Sequence, residues 1–347
     1  MLARSLLNTL TALIANRLRA SFPGHSVIGE EASAHDGRIP ALGDEPTWIV
    51  DPVDGTQNLV HGLPISAVSI GLCRGGVPVL GVVYDPHRDE LFVAAAGRGA
   101  FLNGRPIRVE GDAGEEGKGA TAGTPLPCAM VLTDPGYERS CRGIDRLEGM
   151  YGALLRTNVR AVRMIGSTVL CLAWIACGRA SAYVAGMCDK DCPKPWDWCA
   201  GSVLVMEAGG CLGLLEGRLY DGSGGGGNGS GSGGMRGSGG GGGGDSALPF
   251  HVYAKGGIAS SNQGLLEDLR ETMIAGAREG KMRSRGGSGG GGGAGGVGGA
   301  RGTSTPATPI VVDMSPSPGS LAGQTTPGPP TSGPPSPGPP TTHPSPS

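Results

Sequence analysis

Five acidic residues in this 347-residue chain stand at spacings that could do chemistry. Glu30 and Glu31 follow the short apolar run Ser26-Val27-Ile28. Asp51 and Asp54 flank Pro52-Val53 after Trp48-Ile49-Val50, and Asp197 opens a helical stretch much later. Carboxylates are hard oxygen donors of the kind Mg2+ takes, in contrast to the His and Cys sets of zinc. Pro52 fixes its own φ and removes a backbone donor, so a tight turn there can aim Asp51, Asp54 and the Val53 carbonyl into one volume. Gly55 and Thr56 follow at once, with free backbone N–H groups where a helix can start, a ready site for phosphate. Crowded carboxylates repel one another unless cations neutralise them, so a divalent ion is their natural complement. Taken alone, D-x-x-D also reads as a solvated acidic turn. Its combination with Glu-Glu after a strand and a later Trp-Asp is much rarer by chance.

The elements that must position these residues alternate. Leu6, Leu10, Leu13, Ile14 and Leu18 fall on one face of a helix within the first 20 residues. The same N-terminal stretch carries Arg4, Arg17 and Arg19 and no acid before Glu30, which also reads as an organelle transit peptide. Strands are predicted at 26–28, 48–50, 65–73, 77–84, 89–95 and 100–109, with Asn103-Gly104 as a hairpin turn. A strand at 128–133, helices at 138–155 and 168–177, and a strand at 181–185 follow. A helix at 198–208, a strand at 257–260 and a helix at 263–278 close the pattern, which predicts an α+β fold with sheets covered by helices.

Composition sets the domain limits. Glycine supplies 68 residues and proline 28, against about 7% and 5% in ordinary chains. Much of the excess lies in a Gly/Ser block at 222–244 and in the segment from 286 to the end. Such stretches bury too little apolar surface to offset their ordering entropy. The expected organisation is a catalytic domain over 1–280, with a disordered loop at 222–247, and a disordered tail over 281–347. The net charge of −2 gives no basic stripe for nucleic acid, and no apolar run is long enough to predict a membrane span. Nine cysteines, an odd number spread through apolar segments, suit reduced thiols and a cytoplasmic location.

The runs GEE (29–31), WIVDPVDGTQNLVHG (48–62), GAFLNGRPI (99–107) and PWDWCAGSVLVMEAGG (195–210) resemble the inositol monophosphatase family of Mg2+-dependent, lithium-sensitive phosphatases. The likeness extends over roughly residues 8–275 and is greatest to the eukaryotic branch, which holds inositol-1-phosphate and L-galactose-1-phosphate phosphatases. It implies a layered αβαβα sandwich, N-terminally truncated relative to the family, and commonly dimeric. It also implies that Glu30, Asp51 and the Val53 carbonyl hold a first metal, that Asp51, Asp54 and Asp197 hold a second, and that Glu30 helps place a third. Gly55 and Thr56 would cradle the phosphate, Gly166, Ser167 and Thr168 would line the substrate pocket with Asp197, and Glu30, Thr56 and Asp51 would prepare the attacking water. The expected activity is hydrolysis of inositol 1-phosphate without a phosphoenzyme, with Li+ as inhibitor. L-Galactose 1-phosphate or histidinol phosphate are alternative substrates, and a catalytically impaired binding or scaffold protein is the reading from another class.

The sequence departs from the family's pattern at several points. Leu7 stands where an aspartate pairs with the threonine equivalent to Thr56. The acid that contacts substrate hydroxyls falls at Ala185, with Asp189 and Asp191 nearby in extra residues before Trp196. Cys188 and Cys192 lie in a C-x3-C spacing that reads as inert thiols or half a zinc site, Trp198 reads as packing, and His61 as a buried or a catalytic histidine.

Overall fold

A computed structural model describes residues 2–31, 33, 39–109, 123–188, 192–215, 252–253 and 256–286, all of them within a single unit of the chain. The chain starts with α1 (Leu2–Ser21). Leu7 and Ala15 are buried on its inner face, Leu10, Ile14 and Leu18 are half-buried, and Leu13 is 58% exposed. The helix reading of this segment thus holds, with Leu13 lying off the packed face.

Seven strands follow in one sheet: β1 (Ser26–Gly29), β2 (Thr47–Asp54), β3 (Ala67–Arg74), β4 (Val77–Asp85), β5 (Glu90–Ala95), β6 (Ala100–Leu102) and β7 (Arg105–Ile107). They are hydrogen-bonded in chain order, with β1 parallel to β2 and the others antiparallel. The β6–β7 hairpin turns at Asn103 (φ 49°) and Gly104 (φ 76°), the paired positive φ values that an Asn-Gly turn allows. A short helix, α2 (Thr56–Val60), leaves the end of β2.

The second sheet contains β8 (Met130–Thr133), β9 (Ala161–Arg163), β10 (Ala182–Ala185), β11 (Cys211–Leu214) and β12 (Gly257–Ser260), in the order β11-β12-β10-β8-β9. The helices are α3 (Cys141–Arg156), α4 (Thr168–Ala176), α5 (Pro195–Glu207) and α6 (Gln263–Gly286). Alternation along the strands shows the layering. Leu132, Tyr183 and Ala259 face a core shared with α4 and α5, whereas Val131, Ala182, Val184 and Ile258 face Leu147, Met150, Leu266 and Met273 of α3 and α6. With α1 against β1 and β2, the order is α, β, α, β, α, the expected layered α+β sandwich.

Two contacts fix α5. Gly71 and Gly81 are cross-strand partners on β3 and β4, and a Cβ on either would collide with Cys199 or Ala200 of the helix. Bare backbone there lets the helix sit directly on the sheet. At its C-terminal end, the Glu207 carboxylate accepts from the N–H groups of Gly97 (2.8 Å), Arg98 (3.1 Å) and Gly99 (2.8 Å) in the β5–β6 turn.

Several elements differ from the sequence reading. Helix α5 begins at Pro195 rather than 198, with proline in the first turn, where its missing N–H costs nothing. Helix α6 runs on to Gly286, past the end expected at 278. Strands β9 and β11, which have three and four residues, were not anticipated. β11 pairs antiparallel with β12, so the chain between them leaves and rejoins one hairpin. The 222–247 segment and the tail beyond 286 lie outside the described residues.

Candidate active site

β2 ends in the turn that carries the acids. Every residue of β2 is buried, so Asp51 and Asp54 leave the sheet inside the protein. The Asp51 carboxylate accepts from the Val53 N–H at 2.9 Å, and the Thr56 hydroxyl donates to the Val53 carbonyl at 3.0 Å. Gly55 adopts φ 83°, and a Cβ there would lie 2.8 Å from the Ile65 carbonyl. Only glycine fits this corner.

Asp54 is held from the other side of the molecule. One of its oxygens accepts from the Ser167 hydroxyl and from the Val169 N–H (3.0 Å) at the start of α4. Ser167 also caps α4 by accepting from the Leu170 N–H at 3.2 Å. Asp197 comes from the first turn of α5, where its carboxylate accepts from the Lys194 N–H at 2.6 Å. One carboxylate oxygen from each of Asp51, Asp54 and Asp197 lies within 4.8 Å of the other two. Glu30, in the turn after β1, is hydrogen-bonded to Asp51.

These groups raise one another's proton affinity. Burial, followed by the charges of Glu30, Asp54 and Asp197, pushes Asp51 well above the usual carboxylate range. Burial does the same to Asp197, with Asp54 adding to it. Asp54 is pushed up to about 6 by burial, against the opposing pull of Ser167 and Val169. Burial also raises Glu30, while its bond to Asp51 opposes the rise. No described Lys or Arg side chain forms an ion pair with the three aspartates. The Lys194 charge opposes the rise at Asp197. A buried set of hard oxygen donors of this kind fits a divalent ion of the Mg2+ type.

The acids line a cavity of about 430 Å³. Glu30, Val53, Gly55, Thr56, Gly166 and Thr168 line it with them. Ser167 is 2% exposed, and its hydroxyl is spent on Asp54 and the α4 cap. His61 is exposed and lies away from the cavity. Trp198 is fully buried in the core between the sheets. All nine cysteines are free thiols. The Cys192 thiol lines the cavity and donates to the Cys188 carbonyl at 3.2 Å. Leu7 is buried in α1, Ala185 lines the cavity, and Asp189 and Asp191 lie outside the described residues.

Asn58, Tyr183 and Asp134 are among the cavity residues that escaped the sequence reading. The Asn58 amide donates to the carbonyls of Ile65 (2.9 Å), Ile165 (2.7 Å) and Gly166 (3.3 Å), and so ties α2 to the Gly166 wall. Its place in D-P-V-D-G-T-Q-N was a usable signal. The Tyr183 hydroxyl pairs with that of Thr168 at 2.8 Å, and Asp134 lies in the loop after β8. Neither has a local pattern that marks it.

The model of the inositol monophosphatase family matches residues 3–274. The chain belongs to that family. Its members are phosphoric monoester hydrolases that use divalent metal ions. Inositol monophosphatase 1 of Solanum lycopersicum is 45% identical over 201 residues, which cover 58% of this chain and 67% of that protein. Inositol monophosphatase 2 of Homo sapiens is 38% identical over 198 residues, 57% of this chain and 63% of that one. Among solved structures, the Thermotoga maritima IMPase matches with a TM-score of 0.54 at 26% identity, covering 77% of this chain and 81% of its own. The inositol monophosphatase of Anabaena gives 0.53 at 28% identity, covering 78% and 90%. Among the described residues of this family member, no helix is long and apolar enough to cross a membrane.

Proposed function

We propose that the chain is a Mg2+-dependent phosphomonoesterase that hydrolyses inositol 1-phosphate to inositol and phosphate. The convergence of Asp51, Asp54 and Asp197 beside Gly55 and Thr56 carries this reading. Glu30, Asp51, the Val53 carbonyl, Asp54 and Asp197 would hold two or three ions. Bound there, Mg2+ supplies positive charge against the phosphoryl oxygens and makes water acidic enough to attack at neutral pH. The N–H groups at the start of α2 face the same cavity and would receive the phosphate oxygens. The Thr56 hydroxyl spends its proton on the Val53 carbonyl, so its lone pairs are free to accept a hydrogen bond from a water and aim it. Glu30, raised by burial, is the group that can take the proton of that water. No nucleophilic side chain is needed, so solvent oxygen goes directly into the released phosphate.

L-Galactose 1-phosphate is a second reading, because Ala185 and Gly186 bring to the cavity wall no polar side chain that would choose between a cyclitol and a hexose. The test is phosphate release from inositol 1-phosphate, L-galactose 1-phosphate and histidinol phosphate with Mg2+, with and without Li+. Release from inositol 1-phosphate that Li+ suppresses supports the proposal, and release from none of the three overturns it. A homodimer in light scattering would agree with the family assignment.

A further inference from the structure

The cavity lining holds two groups of carboxylates. Glu30, Asp51, Asp54 and Asp197 make up the first. The second part of the wall comes from the loop after β8, with Asp134, Gly136, Tyr137 and Arg139. Asp134 is the one carboxylate among the described lining residues that stands outside the Glu30, Asp51, Asp54 and Asp197 group. One of its oxygens accepts from the Gly136 N–H at 2.9 Å, and its other oxygen has no partner among the described residues. Arg139, which could have neutralised it, instead turns one guanidinium nitrogen back to the carbonyls of Gly136 (3.1 Å) and Glu138 (2.7 Å). That bond braces the loop and leaves the carboxylate to the cavity.

The Thr168–Tyr183 hydroxyl pair lines the same cavity. Burial pushes the Tyr183 phenol well up, with the charges of Asp134 and Asp54 both contributing. The wall beside Asp134 is completed by Ala185 and Gly186, which leave room and bring no competing polar side chain.

Resting on the functional reading above, we infer that Asp134 is the specificity-determining residue that reads the substrate's polyol, accepting hydrogen bonds from hydroxyls remote from the phosphate. A carboxylate with one oxygen anchored and one open accepts from one or two hydroxyls of a cyclitol or sugar. Such O–H···O⁻ bonds are about twice as strong as neutral ones. A phosphate ester without hydroxyls would gain nothing from it.

The experiment compares myo-inositol 1-phosphate with p-nitrophenyl phosphate, using the full chain with saturating Mg2+. Asp134→Asn keeps an oxygen for the Gly136 N–H and removes the charge. The ratio of kcat/KM for inositol 1-phosphate over that for p-nitrophenyl phosphate is expected to fall about tenfold, through KM rather than kcat. Calorimetric affinity for myo-inositol in the presence of inorganic phosphate should weaken by a similar factor, and Asp134→Glu should recover part of it. An unchanged ratio, or equal losses on both esters, overturns the role of Asp134 while leaving the phosphatase reading intact. Phosphate release from neither ester by the unsubstituted protein overturns the phosphatase reading, and this inference with it.

Discussion

The Ser167 hydroxyl donates to the carboxylate of Asp54, a residue 113 positions earlier in the chain, while its lone pair caps α4. One side chain therefore aligns an acid of the Asp51, Asp54 and Asp197 cluster and starts α4. Replacing it tests both roles. Ser167→Ala should lose about 1 kcal/mol from the cap and free Asp54 to bind its proton more tightly. Thermal unfolding should show the first loss. A magnesium titration at neutral pH should show weaker binding, and an unchanged Mg2+ affinity would contradict the alignment role.

The pH dependence of the metal-free protein follows from the crowded acids. Asp54 is at about 6 in the fold, above the ordinary 3.8, so the folded state holds its proton more tightly than the unfolded chain does. Its contribution to stability is complete below the unfolded value and is lost as pH rises through about 6. Glu30, Asp51 and Asp197 shift in the same direction. The unfolding temperature without metal should therefore drop as pH rises from about 4 through about 6, and go on dropping above that as the other raised acids lose their protons, and Mg2+ should restore it most at the upper end. A flat metal-free profile would count against this charge arrangement.

Neutralising one acid separates stability from activity. Asp51→Asn or Asp197→Asn should lower turnover by at least about 10²–10³-fold, and yet raise the metal-free unfolding temperature, because like charges are relieved. The stabilisation by Mg2+ should shrink in both variants. Near-normal turnover in either would remove that residue from the metal set.

The seat of α5 can be tested away from the cavity. Gly81 faces the Ala200 carbonyl with no room for a Cβ. Gly81→Ala should cost about 1–3 kcal/mol by overpacking. The helix should also lift, and Asp197 with it, so that the Mg2+ requirement for activity rises. Loss of stability with an unaltered Mg2+ requirement would mean that the sheet, and not the helix, gives way.

Much of this was legible in the sequence where the signal is local. The run from Asp51 to Asn58 fixes its own turn, Asn103-Gly104 dictates its hairpin, and the apolar stretch at 168–176 gives its helix. The short strands β9 and β11 exist only because neighbours pair with them. Pro195 was read as lying before its helix, though it is tolerated in the first turn. The resemblance places Ser167 with Gly166 and Thr168 in the substrate pocket. Its hydroxyl points to Asp54, a partner distant in sequence, and periodicity carries no information about such pairings. Asp134 was silent for the same reason. Nothing around it repeats, and its meaning comes from what the fold places opposite.

Helix α5 also behaves as a beam with two fixed supports. One is the glycine seat under Cys199 and Ala200. The other is Glu207, clasped by three N–H groups of the β5–β6 turn. Ten residues, about 15 Å of helix, separate Glu207 from Asp197. A beam held in this way resists rolling and sliding, so a substitution that loosens the turn at residues 97–99 is expected to change the aim of a carboxylate the turn never touches.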